Sequence, residues 1–365
     1  MPVLEKIVIS DFRNIRLQEL EFSPNVNCIS GNNGEGKTNL LDAIYYISMT
    51  KSAFASSDKF NFRHGTDEFS IAGFYRMQNG LSSRFALKMN SKGEKKVRRD
   101  DKPYSKVSEH VGVLPIVMVS PADISMVSES GEERRRFVNA VLSQMDREYM
   151  SSLQQYNRLL LQRNRMLKDM EVDRSLLEVV DMRMAALAEP IYQMRKRFVE
   201  DLKPIVAEYY RALSGGSEIV DIEYDSELSK AGLDQILAAS FEKDRILRYT
   251  SSGVQRDDFI FTMNGHPIRR YGSQGQQKSF LVSLKFAQYE IMKENYGFAP
   301  ILLLDDVFDK LDMGRISNLL QMVASNDFGQ IFITDSNKVR MSGIVDRLTQ
   351  DRAYFETVSG TFSRI

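Results

Sequence analysis

Residues 30–38 read SGNNGEGKT, with three glycines, two asparagines, a serine, a lysine and a threonine in nine places. Almost none of these is a core former, so the stretch exists to present its backbone to something. Gly31 followed by Gly36-Lys37-Thr38 is the spacing of a phosphate-binding loop. Glycines let successive N–H groups curl around phosphate oxygens, and a helix starting just after them points its positive end the same way. Lys37 then reaches the β and γ phosphates of ATP and the Thr38 hydroxyl binds Mg²⁺. Asn32, Asn33, Gly34 and Asn39 are expected to line the same nucleotide.

Such a loop needs a carboxylate on the metal side, usually at the end of a buried strand. ILLLDDVFDKLD supplies four apolar residues, Ile301 to Leu304, then Asp305 and Asp306. Asp305 is placed to act on Mg²⁺ directly or through its water, and Asp306 to orient or deprotonate the attacking water. A third element is YGSQGQQKS, just before a helix. Ser273, Gly275 and Gln276 there form another anion-receiving helix start, or Ser273 simply caps the helix. A chain with one phosphate loop has little use for a second in the same subunit, so the economical assignment is to the nucleotide of a facing subunit.

These residues need a scaffold. VNCIS is β-rich and feeds the glycine loop, and TNLLDAIYYIS has apolar residues at helical spacing after it. FSIAGFYRMQNGLSSRFALKM alternates around Asn79-Gly80, a hairpin signal, and DDFIFTMNGHPIRRYG repeats it at Asn264-Gly265. From about Ser130 to Gly215 the chain is helical, with Pro190 and Pro204 as expected breaks or kinks. No heptad is long enough for an extended coiled coil. The expectation is an α/β chain whose two halves, 1–130 and 245–365, flank a mostly helical lobe over 131–244.

Composition sets outer limits. At 365 residues one large or two modest domains are expected. Basic and acidic residues balance at 49 each, so a surface for polyanions must be local. The single cysteine, Cys28, forms no internal disulfide and reads as a buried strand residue. The N-terminus lacks a basic leader and no apolar run approaches the ~18 residues of a membrane helix, so a cytoplasmic protein without membrane association is expected.

Phosphate loop, late S-x-G-x-x element and a DD-ended strand followed by FDKLD resemble the ABC-type ATPase heads of the SMC superfamily. Within it the chain is similar to the RecF family over nearly its whole length. The carriers are DFRNI, SPADISMVSESGEERRRFVNAVL, GVQRDD, SQGQQKS and LLLDDVFDKLD. The resemblance implies an SMC-like P-loop ATPase head with a helical insertion. It implies ATP-dependent homodimers in which Ser273 completes the facing γ-phosphate site and Asp309 to Asp312 form a loop across the interface. Lys37, Ser273 and Asp306 are then the catalytic set, with Arg13 and Asn14 toward adenine or on a plain surface turn, and Asp123 linking ATP to the second lobe. It further implies action on single-strand DNA gaps and duplex junctions during DNA damage and the SOS response, with RecR and RecO as partners and RecA loading as outcome.

Departures are visible too: Glu132-Glu133 precede the arginines, Asn139 follows Phe137-Val138, and Gln255 replaces a histidine of the family pattern. IFITDS lacks the histidine of transporter heads, with Thr334 or Asp335 there instead. Since Asp306 is one methylene shorter than the glutamate of faster relatives, slow hydrolysis is expected, a timer more than a motor. Two basic stretches compete for DNA: Lys95, Lys96, Arg98 and Arg99 on a hairpin, and Arg163 and Arg165 with Arg195 to Arg197 on the helical lobe. Each also reads as a solvated face balanced by neighbouring acids. The rival functions are an ABC-type transport subunit and an ATP-gated scaffold.

Overall fold

The computed structural model describes residues 1–169, 173–216, 218–307, 328–338, 343, 345, 346 and 349–365. The chain divides into two units, Met1–Asp123 with Gln288–Ile365, and Ile124–Ala287. Unit 1 begins with β1 (Val3–Phe12), β2 (Ile15–Glu21), β3 (Val26–Ser30) and α1 (Lys37–Met49). It continues through β4 (Glu68–Arg76), β5 (Ser82–Asn90), β6 (Lys95–Arg99), β7 (Lys102–Pro103) and β8 (Ile116–Val119). Unit 2 holds α2 (Ser125–Ser128), α3 (Gly131–Met145), α4 (Arg147–Met166), α5 (Arg174–Ser214), β9 (Val220–Asp225) and α6 (Leu233–Leu247). It adds β10 (Asp258–Met263), β11 (His266–Pro267) and α7 (Ile268–Tyr271). The boundary falls inside α8 (Gln274–Tyr296), and β12 (Ile301–Leu304), β13 (Ile331–Asp335), β14 (Arg352–Val358) and β15 (Thr361–Arg364) return to unit 1.

Unit 1 has two sheets. One is antiparallel, in the order β2-β1-β4-β5-β6-β7, and its strands alternate buried and half-exposed residues as a one-sided sheet should. The other has the order β15-β14-β3-β13-β12-β8, parallel except for β15. Its strands β3, β8, β12 and β13 are buried at every residue, which matches the unbroken apolar spelling of β8 and β12, while β3 and β13 also bury Asn27, Ser30, Thr334 and Asp335. Helix α1 packs on β1, β4 and β5 of the first sheet and on β8 and β13 of the second. With both flanks covered, Leu40, Leu41, Ile44, Tyr46 and Ile47 are all fully buried. Gln330 ties the sheets further: its Nε2 donates to the carbonyls of Leu4 (2.8 Å) and Ser23 (2.9 Å), and its Oε1 accepts from the Leu4 amide.

In unit 2, α5 runs as one helix of 41 residues through Pro190 and Pro204, so of the expected breaks or kinks neither proline makes a break. Each interior proline costs about 3 kcal/mol in an isolated helix. Both lie on the exposed side, where the carbonyls left without donors meet water, while Met184, Ala188, Ile191, Phe198, Leu202, Val206 and Leu213 hold the other face buried. The second domain limit also differs from the expected residue 245. Residues 245–287 belong to unit 2, because β10 pairs antiparallel with β9 from Asp258↔Asp225 to Met263↔Val220. The hairpin is local and legible, whereas its pairing with β9 across α6 is not.

Two buried arginines bind this unit together. Arg163, on α4, pairs with Asp181 of α5 (2.7 Å) and Asp244 of α6 (2.6 Å) and is fully shielded from solvent. Arg195, on α5, pairs with Asp257 (2.6 Å) and donates to the Val254 carbonyl and to Tyr149 and Asn139. Neither can meet DNA, which corrects the expectation for Arg163 and for Arg195. Removing one partner from such a pair costs about 3–5 kcal/mol, since the other charge stays buried.

His110 gives unit 1 a pH-dependent term. One ring nitrogen lies 2.6 Å from the Ile47 carbonyl and so carries the proton, and the other faces the Tyr104 hydroxyl at 3.4 Å. Burial pushes its pKa down to about 4, with the nearby Arg99 charge adding to the shift. Since the folded value lies below the ordinary ~6.5, this stability is fully present above pH 6.5 and is lost as pH falls toward 4. Urea unfolding of wild type should therefore lose about 2 kcal/mol between pH 7.5 and 5 that His110→Gln does not lose. Equal pH slopes for the two proteins would remove the histidine from the account.

Candidate functional site

Strand β3 lies between β14 and β13, and Ser30 ends it beside Asp335 and Glu356 at the carboxyl edge of the parallel strands. Ligands of α/β sheets gather at that edge. The glycine loop leaves from here, with Asn32, Asn33 and Gly34 exposed on its crest. Gly36 caps α1 at φ 108, a region closed to side chains, and no side chain caps the helix. The Lys37 and Thr38 N–H groups are thus left for an anion, while the Asn39 amide donates to the Gly36 carbonyl at 3.0 Å. A Cβ on Gly36 would lie 2.6 Å from the Asn14 amide, and one on Gly31 would lie 2.7 Å from the Thr357 carbonyl oxygen. Lys37 is buried, and its Nζ donates to the Gly31 carbonyl (2.8 Å), the Asn32 carbonyl (3.2 Å) and Asn33 Oδ1 (3.5 Å). The ammonium folds over the loop it belongs to, which places its charge where phosphate would lie.

Asp305 and Thr38 meet as the sequence anticipates. The Thr38 hydroxyl lies 3.0 and 2.9 Å from the two Asp305 carboxylate oxygens. From β13, Thr334 Oγ1 donates to Asp305 Oδ1 at 2.7 Å and accepts the Asp306 amide at 2.9 Å. Burial raises the Asp305 pKa, and the neighbouring Asp306 charge adds to this, against the hydroxyl donors and Lys37. A cation would relieve that penalty. Hydroxyl and carboxylate oxygens are the hard donors Mg²⁺ takes, so Thr38 and Asp305 could hold it along with phosphate oxygens and water. Among the described residues no group of three His, Cys, Asp or Glu offers an alternative site.

The turn between β1 and β2 borders the loop, and its arginine is engaged by neighbouring side chains. Arg13 pairs with Asp42 (2.6 Å) and donates to Asn39, Ser52 and Asn61. It braces the first turns of α1 through Asn39 and Asp42. Asn14 accepts from Asn39 (2.7 Å) and donates to the Glu35 carbonyl (3.3 Å). That carbonyl also receives the Gly360 amide (2.9 Å) and the Thr357 hydroxyl (3.2 Å), and the Ser359 amide donates to the Glu35 carboxylate. The turn of the β14–β15 hairpin therefore clamps the outside of the phosphate loop. Nothing in the sequence flagged Glu35, Thr357 or Gly360, since 322 residues or more separate the partners.

In unit 2, Ser273 and Gln276 form a reciprocal cap on α8: the Ser273 amide donates to Gln276 Oε1 (2.7 Å) and the Gln276 amide to Ser273 Oγ (3.3 Å). Gln276 Nε2 also donates to Glu218 (2.7 Å), so its side chain holds the cap from both ends. Ser273 is exposed. Gly275 gives its carbonyl to Ser279. In the same unit Arg134 takes Asp258 in a two-pronged pair (2.8 and 2.9 Å), and Arg135 donates to the Asp257 carbonyl. The GVQRDD segment is thus a structural clamp at the start of β10. Asp123, in unit 1, accepts the Ser120 amide at 2.8 Å. Asp309 to Asp312 lie outside the described residues.

Of the proposed DNA contacts, Lys95 is spent on Asp58 (2.7 Å) and the Thr50 carbonyl. Arg99 is half-exposed and 3.8 Å from Asp100. Lys96, Arg98 and Arg165 are exposed. Register places Lys96 opposite Lys88 and Arg98 opposite Ala86 on one face of the antiparallel sheet.

Comparison with known proteins gives the site a context. The model of the RecF/RecN/SMC N-terminal domain family matches residues 3–353. The DNA replication and repair protein RecF of Parabacteroides distasonis is 43% identical over 358 residues, 98% of each chain. That of Bacteroides fragilis is 39% identical over 364 residues, covering 100% of this chain and 98% of the relative. A solved structure of the recombination mediator protein RecF with ATP, in the RecFOR pathway, superposes with a TM-score of 0.91 at 29% identity, over 100% and 98% of the chains. An Smc head domain of Pyrococcus furiosus, solved with the C-terminal domain of ScpA, gives a TM-score of 0.58 at 16% identity over 100% and 96%, a likeness of fold alone.

The tight contact at Gly36 is testable by nucleotide titration. Gly36→Ala should weaken ATP binding about tenfold or more, from backbone strain and the Asn14 collision together. Adding Asn14→Ala should recover only part of it, because φ 108 remains unfavourable for alanine. Full recovery would mean that the collision alone matters.

Proposed function

The chain belongs to the RecF family of the RecF/RecN/SMC proteins and is a DNA replication and repair ATPase of the ABC type; from that premise we propose that it works as an ATP-gated clamp on DNA. ATP with Mg²⁺ binds between the phosphate loop and Asp305, and two copies close around it. The exposed Ser273 of one copy completes the γ-phosphate site of the other. The closed dimer holds DNA at single-strand gaps or duplex junctions in the cytoplasm, and slow hydrolysis through Asp306 releases it. RecR and RecO are the partners and RecA loading the outcome.

The observation that carries this reading is Ser273: a capped but exposed hydroxyl at the start of a 23-residue helix, in a chain that already has a complete phosphate loop elsewhere. The same reading gives DNA a smaller contact set than the sequence offered. Lys96 and Arg98 on the antiparallel sheet, and Arg165 on α4, are the exposed cations that support it. Each phosphate contact would add about one unit to the salt slope of binding.

Sedimentation and gapped-DNA binding, with and without ATP and Mg²⁺, test the clamp. Wild type should pass from monomer to dimer with ATP and bind DNA more tightly, while Ser273→Arg binds ATP and does neither. A monomer that binds DNA equally well in both states would sink the proposal. Lys37→Arg separates timer from scaffold. If it retains ATP binding, the timer reading expects it to hold DNA without release, whereas an incidental ATPase would function normally.

A further inference from the structure

Strand β12 leaves its ladder abruptly. Leu304 still pairs with Ile333 of β13, and the Asp305 amide still donates to the Val119 carbonyl of β8. One residue later Asp306 turns to φ 43, a left-handed conformation that non-glycine residues adopt at a cost of about 1 kcal/mol or more. Its amide is taken by the Thr334 hydroxyl at 2.9 Å. That same oxygen donates its proton to Asp305 Oδ1 at 2.7 Å. One side chain, fully buried on the adjacent strand, therefore uses both its donor and its acceptor capacity on two successive acidic residues.

We propose that Thr334 is a positioning residue for hydrolysis, fixing the Asp305 carboxylate and the Asp306 backbone turn relative to each other through its single hydroxyl. The inference rests on the reading of Asp305 and Asp306 as the metal-side and water-side carboxylates. Thr38 is the other hydroxyl on Asp305, and it is also the residue expected to meet Mg²⁺. Thr334 has no such second role, so its hold on Asp305 does not depend on what is bound. A β-branched residue on a strand keeps few χ1 rotamers, which makes threonine a stiffer holder than serine. Valine has the same shape and can neither donate nor accept, leaving the Asp306 amide without its partner and Asp305 with one donor fewer.

The test compares Thr334→Val, Thr334→Ser and Asp306→Asn with wild type. ATPase kcat and KM are measured, with the affinity for a fluorescent ATP analogue and the thermal midpoint without nucleotide. Thr334→Val should lower kcat by about 10- to 100-fold with analogue affinity within about twofold, and Thr334→Ser should restore most of kcat. If Thr334→Val keeps wild-type kcat while Asp306→Asn loses it, the positioning role falls and the carboxylate reading survives. If Asp306→Asn also keeps kcat, the carboxylate reading itself fails. A Thr334→Val protein that loses analogue affinity together with its thermal midpoint, or a serine variant as impaired as valine, would overturn the proposal in favour of plain structural support.

Discussion

A carboxylate buried at the end of a parallel strand must be met by donors, and most of the candidate site follows from how Asp305 is met. Strand order interposes β13 between β3 and β12. At ~4.8 Å per strand the loop-bearing strand and the aspartate strand are therefore about 10 Å apart. The gap is spanned from two sides: Thr334 reaches across from β13, and Thr38 reaches over from the first turn of α1. Thr38 can do so only because Gly36 turns the chain at φ 108 directly into the helix, and α1 is held in place by burial between two sheets. Burial of one acid thus dictates a glycine, a helix start and a threonine on a third element.

The loop is also shaped from outside. Three donors converge on the Glu35 carbonyl, from Asn14, Thr357 and Gly360. A loop made of glycines and short polar residues has little side chain with which to hold itself, and it loses much conformational entropy on ordering. Donors supplied by the β1–β2 turn and the β14–β15 hairpin take over that task. Arg13 belongs to the same support, since four partners fix its guanidinium against α1.

Unit 2 shows how position converts one residue type into another role. Arg158 and Arg165 lie on α4 in solvent, and Arg163 between them is sealed against Asp181 and Asp244. Arg195 is sealed in the same way beside exposed Lys196 and Arg197. A run of basic residues on a helix therefore splits by the 3.6-residue period into clamps and surface charges. The pairing acids come from other elements, so the run alone does not tell which arginine is which.

By itself the sequence determined the chemistry that local order can carry. The phosphate loop between VNCIS and TNLLDAIYYIS, the apolar strand ending at Asp305, the two Asn-Gly hairpins and the serine before α8 are all set by neighbours within a few residues. Their periodicities and turn types leave little choice. Tertiary structure alone decided what spans the chain: Thr334 between two aspartates, the terminal hairpin on Glu35, Arg13 as a brace, β10 paired to β9, and Arg163 and Arg195 as buried clamps. The unbroken passage of α5 through two prolines belongs with these, because burial of its other face outweighs a local penalty. Local signals report on residues that are close along the chain, whereas donors, acids and apolar faces are matched by proximity in space, which only the completed fold supplies.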